Sequence, residues 1–220
     1  MRRPKLQLAL DDYAAVDDVI RVLDTLHDLI DIIEVGTPLI IRHGIGPVQR
    51  IRAQFPNLSL LADLKIVDAG YLEAQIAFEA GADIVTVLGV AGDSTIRNAV
   101  ACASDYGREV MADLIAAPDL AGRAQQLDEL AVDAICVHSA SDVQAEGGNP
   151  LAELATLCRL KTRAKVAVAG GVNPTMAAEL LAFNPDIVIV GGYITGAPGH
   201  RAAAQEIADA LAGGQNGLAA

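Results

Sequence analysis

Short apolar runs alternate along the whole chain with longer stretches of helical spacing. Eight runs have strand character: Lys5 to Asp11, Ile30 to Val35, Leu58 to Lys65, Ile84 to Leu88, Arg108 to Leu114, Ala134 to His138, Lys165 to Gly170 and Ile187 to Gly191. They recur about every 26 residues. Between them the spacing predicts helices over Ala69 to Ala80, Ser94 to Tyr106, Leu120 to Leu130, Leu151 to Leu160 and Thr175 to Phe183. In the first of these, Leu72, Ile76 and Ala80 share one stripe. Glu79-Ala80-Gly81-Ala82-Asp83 reads as a helix-to-strand turn, with glycine closing the helix. Eight alternating units without a break in composition predict an α/β chain with a parallel sheet. Eight units in about 210 residues fit a compact single-domain (β/α)8 TIM barrel over residues 1–212, with 213–220 as a flexible tail. A doubly wound open sheet is the alternative, and the lack of Gly-x-Gly-x-x-Gly after the first strand counts against it.

In a barrel the functional site forms at the C-terminal ends of the strands. Polar residues fall there repeatedly. Asp11 closes the first run, Glu34 the second, Asp63 and Lys65 the third, Asp113 the fifth and His138 the sixth. Side chains alternate faces along a strand, so Gln7, Ala9 and Asp11 share one face while Leu6, Leu8 and Leu10 take the other. The acid then points to the barrel axis and the leucines to the helix layer. By the same alternation Leu61, Asp63 and Lys65 share a face. Asp68 closes an Asp-x-Lys-x-x-Asp hexapeptide but lies past the strand, in a loop. Each of these residues alone could be a satisfied strand-end polar group. Five strands of eight carrying an ionisable residue at one end read better as a clustered site. Glu34 and Asp63, on adjacent strands, offer two oxygens to a hard cation such as Mg2+. His138 is suited to proton transfer, because its intrinsic pKa lies near neutrality. His27, His43 and His200 sit in helical or loop contexts without a role.

Glycine supplies a second signal. Gly170-Gly171 and Gly191-Gly192 end the last two runs, where such barrels usually bind phosphate through backbone N–H groups and helix N-termini. Composition narrows the partners. Aromatics are 3% of the chain, Trp is absent and the net charge is −12, which argues against nucleic acid. No apolar run approaches the roughly 20 residues of a membrane helix, and none at the N-terminus reads as a signal peptide. Cys102, Cys136 and Cys158 form no zinc or redox motif. The simple reading is a reduced, cytoplasmic protein.

The hexapeptide Asp63-Leu64-Lys65-Ile66-Val67-Asp68 resembles the hallmark of the orotidine-monophosphate decarboxylase superfamily. The resemblance runs from Leu6 to about Leu211. Within the superfamily the chain looks most like the 3-hexulose-6-phosphate synthase family. That likeness rests on Leu8-Ala9-Leu10-Asp11, Ile32 to Ile40, Ala62 to Lys65, Asp68-Ala69-Gly70, Val85 to Gly89, Asp113-Leu114-Ile115 and Val168 to Val172. It implies an aldehyde-lyase: Mg2+-dependent aldol condensation of formaldehyde with D-ribulose 5-phosphate, through a metal-stabilised enediolate, to D-arabino-hex-3-ulose 6-phosphate. It further implies Glu34 and Asp63 as metal ligands, and Lys65 as a positive charge kept protonated by Asp11, Asp63 and Asp68. His138 would move protons as base or acid, beside Asp113. Gly170, Gly171, Gly191 and Gly192 would hold the phosphate, and a homodimer would share sites through Asp68. The alternative is 3-keto-L-gulonate-6-phosphate decarboxylase, which has Glu at the place of Asp113, Arg at Ser141, Thr at Ala169 and Arg at Gly192 or Tyr193. A non-catalytic sugar-phosphate-binding barrel is a third reading, for which this many buried charges have no use.

Overall fold

The computed structural model describes residues 2–145 and 148–213. Strands β1 (Lys5–Leu10), β2 (Ile32–Val35), β3 (Ser59–Ile66), β4 (Ile84–Leu88), β5 (Glu109–Asp113), β6 (Ala134–His138), β7 (Lys165–Ala169) and β8 (Ile187–Val190) close in chain order into a parallel barrel. The open-sheet alternative is thereby removed. Helices α1 (Val16–Leu26), α2 (Thr37–His43), α3 (Gly46–Gln54), α4 (Gly70–Glu79), α5 (Asp93–Tyr106), α6 (Leu120–Glu129), α7 (Ser141–Ala145), α8 (Leu151–Leu160), α9 (Pro174–Leu180), α10 (Gly192–Thr195) and α11 (His200–Ala212) form the outer layer. The tail expected from residue 213 lies, past Gly213, outside the described residues. No described helix is long and apolar enough to cross a membrane.

Both faces of the strands are buried. Leu6, Leu8 and Leu10 pack into the helix layer, and Ala9 packs into the barrel lumen. The register stacks lumen side chains in layers of four from alternate strands. Ile32, Ile84, Ala134 and Ile187 form one layer, Gln7, Leu61, Met111 and Ala167 the next, and Glu34, Thr86, Cys136 and Ile189 the one above. Polarity thus rises toward the C-terminal mouth.

The opposite end carries a repeated stabilising device. Asp31, Asp83, Asp133 and Asp186 immediately precede the even-numbered strands. Their carboxylates accept the backbone N–H of Leu6, Leu60, Val110 and Val166, the second residue of each preceding strand, at 2.8 to 3.0 Å. Each acid therefore ties an odd strand to the turn that starts the next one. Asp83 also pairs with Arg52 and Arg108. The turn before it places Gly81 at φ +105°, a conformation that favours glycine.

The stripe Leu72, Ile76 and Ala80 is divided between surface and core, Ala80 being buried. In α4 the buried residues are Gly70, Ala74, Ala77 and Phe78, whereas Leu72 is 59% and Ile76 47% exposed. The small residues face inward because α4 lies tight against α5: a Cβ on Gly70 would sit 2.1 Å from the Thr95 carbonyl oxygen. Leu72 and Ile76 are left on the outside, and Val67 is exposed as well.

Candidate active site

The mouth of the barrel opens into a cavity of about 650 Å³, within the usual range for a small-molecule site. Asp11, Glu34, Asp63, Lys65, Asp113, His138, Gly170, Gly171, Gly191 and Gly192 all line it. The structure thus brings together every residue expected at the site except Asp68. The four positions that separate the two related chemistries, Asp113, Ser141, Ala169 and Gly192–Tyr193, line the same cavity.

Asp63 reaches the lumen on the same face as Leu61, and Lys65 follows it through an irregular stretch of strand. The pairing of β3 with β4 shifts register between Ala62 and Ile66, and Lys65 takes a left-handed backbone conformation, φ +49°. A lysine at positive φ is uncommon, and such strain persists only where the surroundings enforce it. Thr86 does so here. Its hydroxyl accepts the Lys65 N–H at 2.9 Å and donates to Asp63 Oδ1 at 2.7 Å. The Thr37 hydroxyl lies 2.7 Å from both the Asp63 carbonyl oxygen and Oδ2, which share its one proton. Sequence reasoning passes over both threonines. The available signal is Thr86 itself, one hydroxyl in the otherwise apolar run Ile84 to Leu88.

Lys65 Nζ lies between two carboxylates, 2.9 Å from Asp63 Oδ2 and 3.1 Å from Asp113 Oδ2. Burial opposes its charge, but Asp63 and Asp113 outweigh burial and hold the ammonium firmly protonated. Of the three acids expected to keep Lys65 charged, Asp63 pairs with it directly. No ion pair joins Lys65 to Asp11 or Asp68 among the described residues; Asp113 fills that place. Asp68 lies exposed past the strand, where its carboxylate accepts its neighbour's backbone N–H from Ala69.

Asp113 is the hub. It is 3% exposed; its Oδ1 accepts the Ile115 N–H at 2.8 Å, and its Oδ2 meets Lys65 and His138 Nδ1, the latter at 2.8 Å. Burial alone would raise its pKa, yet the His138 hydrogen bond and the charges of His138 and Lys65 bring it below the usual carboxylate value. In the tautomer that donates Nδ1–H to Asp113, the His138 lone pair is on Nε2, and the residue lines the cavity. That is the tautomer a general base requires.

Across the lumen sit Glu34 and Asp11. Burial and neighbouring Asp63 push the Glu34 carboxyl up to about 8, although the Gln7 amide donates to its Oε2 at 2.6 Å. Burial and Asp63 also raise Asp11. Asp11 is wedged against glycines: a Cβ on Gly36 would fall 2.0 Å from its Oδ1, and one on Gly191 3.5 Å from its Oδ2. Asp11, Glu34 and Asp63 therefore face a cavity in which Lys65 is the one lysine or arginine among the lining residues. No three described His, Cys, Asp or Glu side chains converge as a closed metal site. The pair Glu34 and Asp63 instead suits a hard cation that takes most of its ligands from water and substrate, and Glu34 Oε1 has no described protein donor.

The two glycine pairs differ. Gly170 and Gly171 need positive φ, +116° and +66°, and a Cβ on Gly170 would lie 2.7 Å from Ser139 Cβ. Gly191 and Gly192 are not at positive φ, and a Cβ on Gly192 would meet nothing within 4 Å. Turn geometry explains the first pair and leaves the openness at Gly192 to the cavity.

Fold and site define an enzyme of the (β/α)8 barrel class, with an acid–lysine–histidine constellation at its C-terminal mouth. The chain belongs to the Orotidine 5'-phosphate decarboxylase / HUMPS family, whose model matches residues 4–207. It is 45% identical to a 3-hexulose-6-phosphate synthase from Bacillus subtilis over 193 residues, 88% of this chain and 91% of that protein. The crystal structure of 3-hexulose-6-phosphate synthase from Salmonella typhimurium superposes with a TM-score of 0.92 at 39% identity, covering 95% of this chain and 99% of that one. The crystal structure of 3-keto-L-gulonate-6-phosphate decarboxylase from Vibrio cholerae gives a TM-score of 0.83 at 25% identity, covering 96% and 98%. These relatives make the chain a lyase, nearer in sequence to these synthases than to this decarboxylase.

Proposed function

We propose that this chain is a cytoplasmic 3-hexulose-6-phosphate synthase, joining formaldehyde to D-ribulose 5-phosphate by Mg2+-dependent aldol addition. The observation that carries this reading is the cavity wall. It holds Asp113, Ser141, Ala169 and Gly192 where the decarboxylase pattern has bulkier or charged groups, so the cavity lining carries no arginine to grip a substrate carboxylate. Aldol addition requires loss of the C1 proton of ribulose 5-phosphate and capture of formaldehyde at that carbon. His138, aligned by Asp113, takes the C1 proton on Nε2. The same nitrogen then returns a proton to the oxygen that formaldehyde brings. Lys65 places a fixed positive charge against the negative charge that develops on the sugar oxygens. Glu34 and Asp63 would hold Mg2+, which supplies Lewis-acid stabilisation to the same charge. Backbone N–H groups at Gly170, Gly171, Gly191 and Gly192 hold the phosphate.

We further propose a homodimer, which the exposed apolar residues near the end of β3 and on α4 support. Val67, next to Asp68 in the chain, and Leu72 and Ile76 on α4 are exposed apolar residues. A second copy covering them would give a use to Asp68, an acid that its own cavity leaves out. The direct test of the activity is formaldehyde loss on incubation with ribulose 5-phosphate and Mg2+. Loss that needs all three components is expected; an unchanged formaldehyde level at full metal and sugar phosphate would refute the reading.

A further inference from the structure

Gln7 breaks the pattern of its layer. Its layer-mates Leu61, Met111 and Ala167 are apolar, and Gln7 itself is fully buried. A carboxamide at such a place costs desolvation unless its groups are paired. Only one end is: Nε2 donates to Glu34 Oε2 at 2.6 Å, while Oε1 is buried without a partner among the described residues. The amide presents its N–H to Glu34, which is the orientation an ionised, cation-binding carboxylate requires. In this orientation the Gln7 acceptor Oε1 is left without a donor among the described residues. Packing gives no reason for that arrangement, because leucine or methionine would complete the layer.

We infer that Gln7 is a positioning residue for cation binding. Its N–H fixes Glu34 Oε2 from below, which locks the carboxylate plane and leaves Oε1 as the oxygen offered to the cavity. No other described side chain donates to Glu34. Without Gln7 the Glu34 side chain is free to rotate, and a cation must order it on binding. This inference rests on the reading of Glu34 as a metal ligand. Outer partners of metal ligands typically contribute about 10–100-fold to affinity, which is the size of effect expected here.

The test is Mg2+ affinity of the full-length metal-free chain, measured by calorimetry without substrate, together with thermal unfolding of the same metal-free samples. Gln7→Met keeps the length and removes the donor; Gln7→Leu matches the neighbouring Leu61 and guards against a misfolded first variant. Both should weaken Mg2+ binding about 10–100-fold while the folded state persists at the assay temperature. Gln7 variants that bind Mg2+ as tightly as the parent would overturn the inference, and a fall in unfolding temperature with unchanged affinity would show a merely structural role. Glu34→Gln separates the two claims. If it loses Mg2+ binding while the Gln7 variants keep theirs, the positioning role alone fails. If it binds Mg2+ normally, the ligand assignment itself is wrong.

Discussion

Thr86→Val removes one hydroxyl from the wall of the barrel and keeps the side chain's shape. Thr86 is 4% exposed, so neither of its hydrogen bonds is readily replaced by water. The Lys65 N–H at 2.9 Å loses its acceptor, and leaving a buried donor unpaired costs about 1–3 kcal/mol. Asp63 Oδ1 loses a donor at 2.7 Å; a hydrogen bond to a charged group contributes about 1.5–3 kcal/mol. Lys65 and Thr37 still hold Asp63, so the second loss should fall at the low end. Together about 2–4 kcal/mol is expected, or roughly 4–16 °C in unfolding temperature for a domain of this size. Thr86→Ser keeps both bonds and loses a methyl group, which costs about 1 kcal/mol. The assay is thermal unfolding of both variants by circular dichroism, with turnover measured in parallel. Val should be markedly less stable than Ser. Its kcat should fall, because Lys65 no longer has its strained backbone held. A Val variant as stable and active as the parent, or a Ser variant as damaged as Val, would refute this account of the bulge.

Other expectations follow from the same geometry. His138→Ala should slow exchange of the C1 proton of ribulose 5-phosphate with D2O by about 10²–10⁴-fold; an unchanged rate would exclude His138 as the base. Mixed Lys65→Ala and Asp68→Ala subunits should recover part of the activity that each lacks alone, and failure under demonstrated subunit exchange would count against shared sites. The metal-free chain should also show a pH-dependent stability set by Glu34. Its pKa is about 8 when folded against an ordinary 4.5, so the folded state retains a proton that the unfolded state releases. That contribution is complete below pH 4.5 and is lost as pH rises to about 8. Glu34→Gln should reduce the decline in unfolding temperature across this window; identical profiles would contradict the raised pKa. Asp11, also raised, adds a smaller slope of the same sign that the variant retains.

The barrel is legible in the sequence because its strands are apolar on both faces and its polar residues collect at one end. The strand runs fall within two residues of the observed bounds, and Asp11, Glu34, Asp63, Lys65, Asp113 and His138 meet in one cavity. Partnerships are less legible. Asp113 as the shared partner of Lys65 and His138 depends on three strands meeting in space. The Lys65 bulge depends on Thr86 from the neighbouring strand, and strict alternation places the lysine on the correct face without it. The α4 stripe does not tell which face is buried, because both faces of that helix are apolar: Ala74, Ala77 and Phe78 serve the core, and Leu72 and Ile76 the surface. The fourfold Asp before even strands is present in the sequence but carries no meaning there. Its meaning comes from the odd-strand N–H that each acid accepts.

The central claim is that this cavity adds formaldehyde to a ketose phosphate rather than removing CO2 from a keto-acid phosphate. It is tested by one comparison of kcat/KM on the same enzyme preparation with Mg2+. One arm follows formaldehyde consumption with ribulose 5-phosphate, and the other CO2 release from 3-keto-L-gulonate 6-phosphate. The absence of an arginine from the cavity lining beside Ser141 and Gly192 predicts that formaldehyde addition dominates, with a hexulose phosphate as product. Equal or greater CO2 release, or no formaldehyde consumption, would contradict it.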